Sequence, residues 1–148
     1  MLSDVREKQP LSPPARACFL ALFLAIAPGV AFGQDTLSLA SGTAAPGGAV
    51  ALNLSLSSST GSQPAGLQWT LTYPTASVAS ISAAAGSSAT AAVKTINCFS
   101  SSGSYTCLLS GLNDTLMQNG VVATITVTMT TSALSASVGL TNPVATTA

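Results

Sequence analysis

An all-β fold, a sandwich of two antiparallel sheets, is predicted by three features of the sequence. Apolar residues alternate with polar ones in several short segments, and Leu67, Trp69, Leu71 and Tyr73 share one side of residues 65–74. This period of two is typical of a half-buried strand. Clusters of Gly, Pro, Ser and Asn separate the segments. Small and β-branched residues prevail over helix-favouring Glu and Lys. We expect about 7–9 strands in a sandwich of immunoglobulin size.

Composition and charge limit the classes of function. Of the 148 residues, 47% are hydrophobic and only 5% are charged, so Ser, Thr, Ala and Gly supply most of the polar and small surface. A chain of this length has room for one domain. Its four bases and four acids cancel. Because no basic patch is present, we do not expect nucleic-acid binding.

The N-terminal segment has the pattern of a secretory leader. Residues 1–16 carry Arg6, Lys8 and Arg16, and the apolar run of residues 17–27 follows. Small residues then precede Gln34 at the positions that a signal peptidase reads. We therefore expect a signal peptide at residues 1–33 and a secreted or cell-surface domain at residues 34–148. The apolar run is shorter than the roughly 20 residues that span a bilayer, so no membrane span is expected after cleavage, and Cys18 leaves with the leader.

Turn signals divide the rest of the chain into segments with strand character: residues 36–39, 50–56, 67–73, 78–81, 92–99, 104–112, 121–129 and 138–144. The segment 78–81 is short enough to be a turn instead. The Ala-rich residues 83–92 have helix propensity, but Gly86 and nearby Ser and Thr weaken it. Along residues 121–129, Val121 and every second residue after it share one side. Val122 is expected on the other side with the threonines.

Cys98 and Cys107 are the two cysteines of residues 34–148. An even number of cysteines in an exported chain indicates a disulfide. If Ser102 and Gly103 form a two-residue hairpin turn, Cys98 lies opposite Cys107 in a non-hydrogen-bonded pair, where side chains approach most closely. The spacing, with no His in the chain, disfavours a metal site. We expect a structural disulfide that contributes about 2–3 kcal/mol.

Residues with catalytic potential are scarce. Residues 34–148 contain neither His nor Glu; their carboxylates are Asp35 and Asp114, and their one base is Lys94. This set offers no pair for general acid-base catalysis and no base to activate a Ser or Thr nucleophile. We therefore predict that the protein is not an enzyme.

A loop with Asn113, Asp114 and Asn119 could offer oxygen ligands to Ca²⁺. One carboxylate is few for a cation that takes six to eight oxygens, whereas Asn and Asp are common in turns for backbone reasons. The turn interpretation is therefore favoured, and no cofactor is predicted.

Phe99 is the aromatic residue expected to be exposed. In the proposed hairpin it points away from Cys98, whereas Trp69 and Tyr73 lie on the apolar side of their strand and Tyr105 lies on the Cys107 side. We interpret Phe99 as a possible partner contact. A single exposed ring is weak support for stacking on a polysaccharide.

Four segments together resemble a cohesin domain: PGGAVALNLSL, AGLQWTLTYP followed by VASISAA, CLLSGLND, and NGVVATITVTM. The similarity extends over residues 36–144, and the segments 67–74 and 120–129 are its most specific parts. The resemblance implies a jelly-roll sandwich and extracellular binding. Cohesins of cellulose-degrading complexes bind dockerin modules through one sheet face, so the implied partner is a dockerin-like protein module.

The sequence thus predicts a non-catalytic, secreted or cell-surface binding and assembly module with a cohesin-like fold. Two alternatives stay open: a carbohydrate-binding module whose partner is a polysaccharide, and a structural subunit of a surface layer or matrix. The last follows from a low-charge, Thr-rich sheet, which has few of the charged residues that discourage pairing between strand edges.

Overall fold

Eight strands and one short helix make up the computed structural model, which describes residues 35–147. Their bounds are β1 Thr36–Leu39, β2 Ala49–Ser57, β3 Gly66–Thr72, β4 Val78–Ala85, α1 Ser87–Ala91, β5 Thr95–Ser101, β6 Ser104–Ser110, β7 Gly120–Met129 and β8 Gly139–Thr146. The predicted signal peptide at residues 1–33, with Cys18, lies outside the described residues. Within residues 35–147, no helix combines the length and the apolar character needed to cross a membrane.

The strands form two antiparallel four-stranded sheets. Sheet A has the order β1-β2-β7-β4, and sheet B has the order β5-β6-β3-β8. Every pairing in both sheets is antiparallel. The two-sheet antiparallel sandwich predicted from the alternating pattern is therefore confirmed.

The core lies between the inner faces of the two sheets, as the alternation predicts. In β3 the side chains of Leu67, Trp69 and Leu71 are at most 2% exposed. In β2 the inward residues Leu54 and Leu56 are equally well buried. Burying a Leu side chain contributes roughly 1.5–3 kcal/mol, so these two strands together carry a large share of the favourable free energy of folding.

A β-bulge in β7 alters the predicted orientation of one residue. Leu54 pairs with Ala123, but the next residue, Ser55, pairs with Val121, so Val122 is an extra residue in β7. Such a bulge disturbs the strict alternation of sides along a strand. Val122 is fully buried and belongs to the core cluster. The prediction that Val122 lies on the side of the threonines is therefore wrong.

The Ala-rich segment divides into a strand and a helix. β4 runs to Ala85, and the helix alternative holds only for the five residues of α1. Gly86 joins the two, and its amide donates to the Val122 carbonyl oxygen at 2.8 Å. A Cβ atom at Gly86 would collide with the backbone of Val121. The chain therefore needs a glycine where it leaves sheet A.

Candidate binding surface

The outer face of sheet B carries three large apolar side chains that are open to solvent. Phe99 in β5 is 69% exposed, Val144 in β8 is 51% exposed, and Leu108 in β6 is 39% exposed. The strand register arranges them across the sheet. Leu108 pairs with Gln68, and Gln68 pairs with Val144, so Gln68 separates the two aliphatic side chains in one row.

Phe99 lies in the next row of the same face, opposite Thr106. Thr106 pairs with Thr70, and their hydroxyl oxygens are hydrogen-bonded at 2.9 Å. The Thr141 hydroxyl donates to the Thr70 carbonyl oxygen at 3.2 Å. These bonds engage the hydroxyl groups of Thr70, Thr106 and Thr141. We call the surface formed by these seven residues the sheet B face: Gln68, Thr70, Phe99, Thr106, Leu108, Thr141 and Val144.

The outer face of sheet A has a different character. Its exposed side chains in β2 and β4 are small, as in Ala49, Ala51, Ser82 and Ala84, with Asn53 the largest of those in β2. No Phe, Leu, Ile or Val of this face in β2 or β4 is among the exposed large hydrophobic residues. Because exposed apolar clusters mark interaction surfaces, the sheet B face is the better candidate for binding.

A disulfide lies directly beneath the sheet B face. Cys98 pairs with Cys107 in the register of β5 and β6, and their sulfur atoms are bonded at 2.11 Å. The Cα atoms are 4.1 Å apart, as befits a non-hydrogen-bonded pair. Gly103 has a φ of 75° in the turn between the strands. The cysteines immediately precede Phe99 and Leu108 in sequence, so the bond fixes the two backbone segments that display these side chains.

Phe99 is thus as exposed as the sequence predicts, and its role as a partner contact stays a prediction. The sequence reasoning missed Leu108 and Val144. The signal for Leu108 was present in the hairpin register, since Leu108 alternates with Cys107 just as Phe99 alternates with Cys98. Val144 had no such signal, because a register shift in the pairing of β8 with β3 breaks the alternation there.

Lys94 is buried at the end of sheet B and is 4% exposed. Its Nζ atom donates to the Asn113 carbonyl oxygen at 2.8 Å and to the Asn113 Oδ1 atom at 2.9 Å. Asn113 in turn donates from Nδ2 to the Val93 carbonyl oxygen and accepts from the Thr115 amide. Buried charges require such partners. This group, the Lys94 clamp, joins the residues before β5 to those after β6.

The loop that was considered for Ca²⁺ uses its amides to hold the backbone. The Asn113 oxygens accept from Lys94, and Asn119 exchanges two hydrogen bonds with the backbone of Ser58, at 2.8 and 3.0 Å. Asp114 is exposed. Among residues 35–147, no group of three or more His, Cys, Asp or Glu is placed to hold a metal ion. The contacts therefore support the turn interpretation.

Comparison with solved structures relates this fold to cohesins. The sixth cohesin of scaffoldin B from Acetivibrio cellulolyticus, solved in complex with a mutant Cel5 dockerin, is 24% identical in sequence and has a TM-score of 0.62. The match covers 74% of this chain and 83% of that chain. The third cohesin ScaC of the same organism, in complex with the ScaB dockerin, is 16% identical with a TM-score of 0.62 over 73% and 80% of the two chains. A non-cellulosomal cohesin from the archaeon Archaeoglobus fulgidus is 14% identical with a TM-score of 0.59 over 74% and 75%.

These similarities show that residues 35–147 have a cohesin-like fold, as the sequence segments predicted. No family model matches the chain, and no curated protein matches it. The identities are too low to transfer a binding partner, so the partner has to be argued from the surface of this chain.

Proposed function

We propose that this chain is a non-catalytic protein-binding module whose partner docks on the sheet B face. The observation that carries the proposal is the set of exposed apolar side chains, Phe99, Leu108 and Val144, on a face without a charged residue. Aromatic residues are enriched at protein interfaces and charged residues are depleted at their centres. A dockerin-type module is the partner class to test first, because two of the similar cohesins were solved bound to dockerins.

A non-catalytic role is supported by the surroundings of the titratable residues. The Lys94 ammonium group is buried against Asn113, and Asp114 is on the exposed loop. Among the side-chain hydrogen bonds of residues 35–147, none joins Lys94 or Asp114 to a Ser or Thr hydroxyl group, the contact by which a base activates such a nucleophile.

Export is part of the proposal. The leader pattern of residues 1–33 predicts secretion, and the Cys98–Cys107 disulfide is of the kind that persists in oxidising compartments. We therefore place the module outside the cell or at its surface. A polysaccharide is the less favoured partner, since Trp69 is fully buried and Tyr73 and Tyr105 are only partly exposed, so that among residues 35–147 Phe99 is the one well-exposed ring.

The test is a pull-down with the exported chain against the secreted proteins of the producing organism, run in parallel with insoluble polysaccharides. Phe99→Ala is expected to weaken capture of a protein partner about tenfold or more, since truncating an interface aromatic costs upwards of about 1.4 kcal/mol. Leu134→Ala is the matched control, because Leu134 is 90% exposed in the segment between β7 and β8, away from the sheet B face. Equal loss in both variants, or retention on a glycan alone, would contradict the proposal.

A further inference from the structure

From Ser80 to Ala85, the edge strand β4 lacks the features that keep sheet edges from pairing. Proteins protect such edges with charged side chains, Pro, bulges or very short strands. At the opposite edge of sheet A, β1 has only four residues, and in sheet B the edge strand β8 contains Pro143 beside Asn142, whose φ is 49°. β4 has eight residues, VASISAAA, without charge or Pro. Its one irregularity, between Val78 and Ser80, leaves the six residues after Ala79 regular.

The hydrogen-bond pattern shows which backbone groups of β4 face away from the sheet. The Gly86 amide donates to Val122 in β7. Since inward and outward backbone groups alternate along an antiparallel strand, the amides and carbonyls of Ser80, Ser82 and Ala84 face β7. Those of Ile81, Ala83 and Ala85 then face the open side. These three residues form an uninterrupted template for another strand.

We propose that a second copy of this chain pairs with β4 in an antiparallel arrangement about Ala83, so that sheet A continues across a two-fold axis. In this register Ala83 faces Ala83 of the second copy, and Ile81 faces its Ala85. Every outward amide and carbonyl of the three residues then has a partner. An arrangement of this kind is isologous, because the same surface serves both copies.

Two features of the β4 edge suit pairing with a second copy. The outer side chains near the axis are Ser82 and Ala84, which are small enough for two identical strands to approach. The stretch from the start of β4 to the end of β6, which we call the flank, also carries no exposed charge. Lys94 is its one charged residue, and Lys94 is buried. Identical copies therefore meet without like-charge repulsion, which otherwise keeps proteins monomeric.

Pairing would also cover apolar surface on this flank. Ile81 of β4 and Ile96 of β5 pack against the core but are only partly buried. They belong to the two strands at the same side of the sandwich. A second copy placed against this side of the sandwich would shield apolar surface of this kind from water, and such burial favours association.

The experiment uses the full-length chain, expressed with residues 1–33 in a secretion-competent host and purified as that host processes it. Light scattering after size exclusion, over a series of concentrations, is expected to give a mass that rises towards twice that of the monomer. Ser82→Lys places a positive charge at the middle of the β4 edge on both copies and is expected to return the chain to a monomer. Ser38→Lys is the matched control, because Ser38 is an exposed Ser on the outer side of the opposite edge strand β1.

Ala83→Pro is a second variant that acts on the backbone. It removes an outward amide and leaves the hydrogen bonds to β7 intact, and Pro is tolerated on edge strands. It is expected to abolish the dimer as Ser82→Lys does. A wild-type chain that stays monomeric at every concentration would overturn the proposal. Equal behaviour of the Ser82→Lys and Ser38→Lys variants, or a dimer that Phe99→Ala dissociates and Ser82→Lys does not, would do the same.

Discussion

Removing the amide of Asn113 from the Lys94 clamp should destabilise the fold more than removing the charge itself. In Asn113→Ala the ammonium group stays buried, at 4% exposure, and loses the Oδ1 acceptor at 2.9 Å. A hydrogen bond to a charged group contributes about 1.5–3 kcal/mol, and the bonds to Val93 and Thr115 contribute about 0.5 kcal/mol each at an exposed site. We therefore expect the free energy of unfolding to fall by about 3 kcal/mol.

Lys94→Met should cost less, about 1 kcal/mol, because it removes the need to bury a charge along with the two hydrogen bonds. Asn119→Ala is the matched control for the loss of an amide, since Asn119 makes two hydrogen bonds to the uncharged backbone of Ser58. Equilibrium urea denaturation with the disulfide intact measures all three values. If Lys94→Met destabilises as much as Asn113→Ala, the account of the clamp as a satisfied buried charge is wrong.

The remaining predictions concern the disulfide and the glycine at the end of β4. The Cys98–Cys107 bond closes a loop with a sequence separation of 9. Its reduction should lower the free energy of unfolding by about 2.5 kcal/mol, because the unfolded chain gains conformational entropy when the loop is opened. Denaturation curves with and without reductant measure this difference, and an unchanged midpoint would contradict it. Gly86→Ala should cost more than about 2 kcal/mol, since the added Cβ meets the backbone of Val121. The comparison is Gly61→Ala, where the added Cβ meets no atom but the φ of 85° places alanine in the left-handed region at a cost of about 1 kcal/mol. An equal thermal shift in the two variants would refute the steric argument.

The sandwich could be predicted from the sequence because alternation and turn chemistry agree along most of the chain. The buried side of β3 follows from Leu67, Trp69 and Leu71, which need no knowledge of their neighbours to be placed on one side. The pairing of Cys98 with Cys107 could also be predicted from nearby residues, because the turn at Gly103 fixes the register of the hairpin.

The bulge at Val122 could not be predicted, because it depends on how β2 and β7 pair, and these strands are far apart in sequence. The Lys94 clamp could not be predicted for a similar reason. Lys94 and Asn113 are separated by 19 residues, and nothing in either segment indicates that the ends of β5 and β6 bring the two side chains together. Val144 was missed because the register of β8 shifts where it pairs with β3.

The two proposed surfaces lie on different sheets and can act separately. The sheet B face has Phe99, Leu108 and Val144 on its outer side, whereas the β4 edge offers backbone groups of sheet A. Since neither surface carries a charge, electrostatic steering, which accelerates association between oppositely charged partners, can act only weakly from this chain. Specificity must then come from shape and from hydrogen bonds. For the sheet B face, shape depends on the backbone beneath Phe99 and Leu108. The Cys98–Cys107 bond fixes the spacing of these two side chains, which a partner would contact.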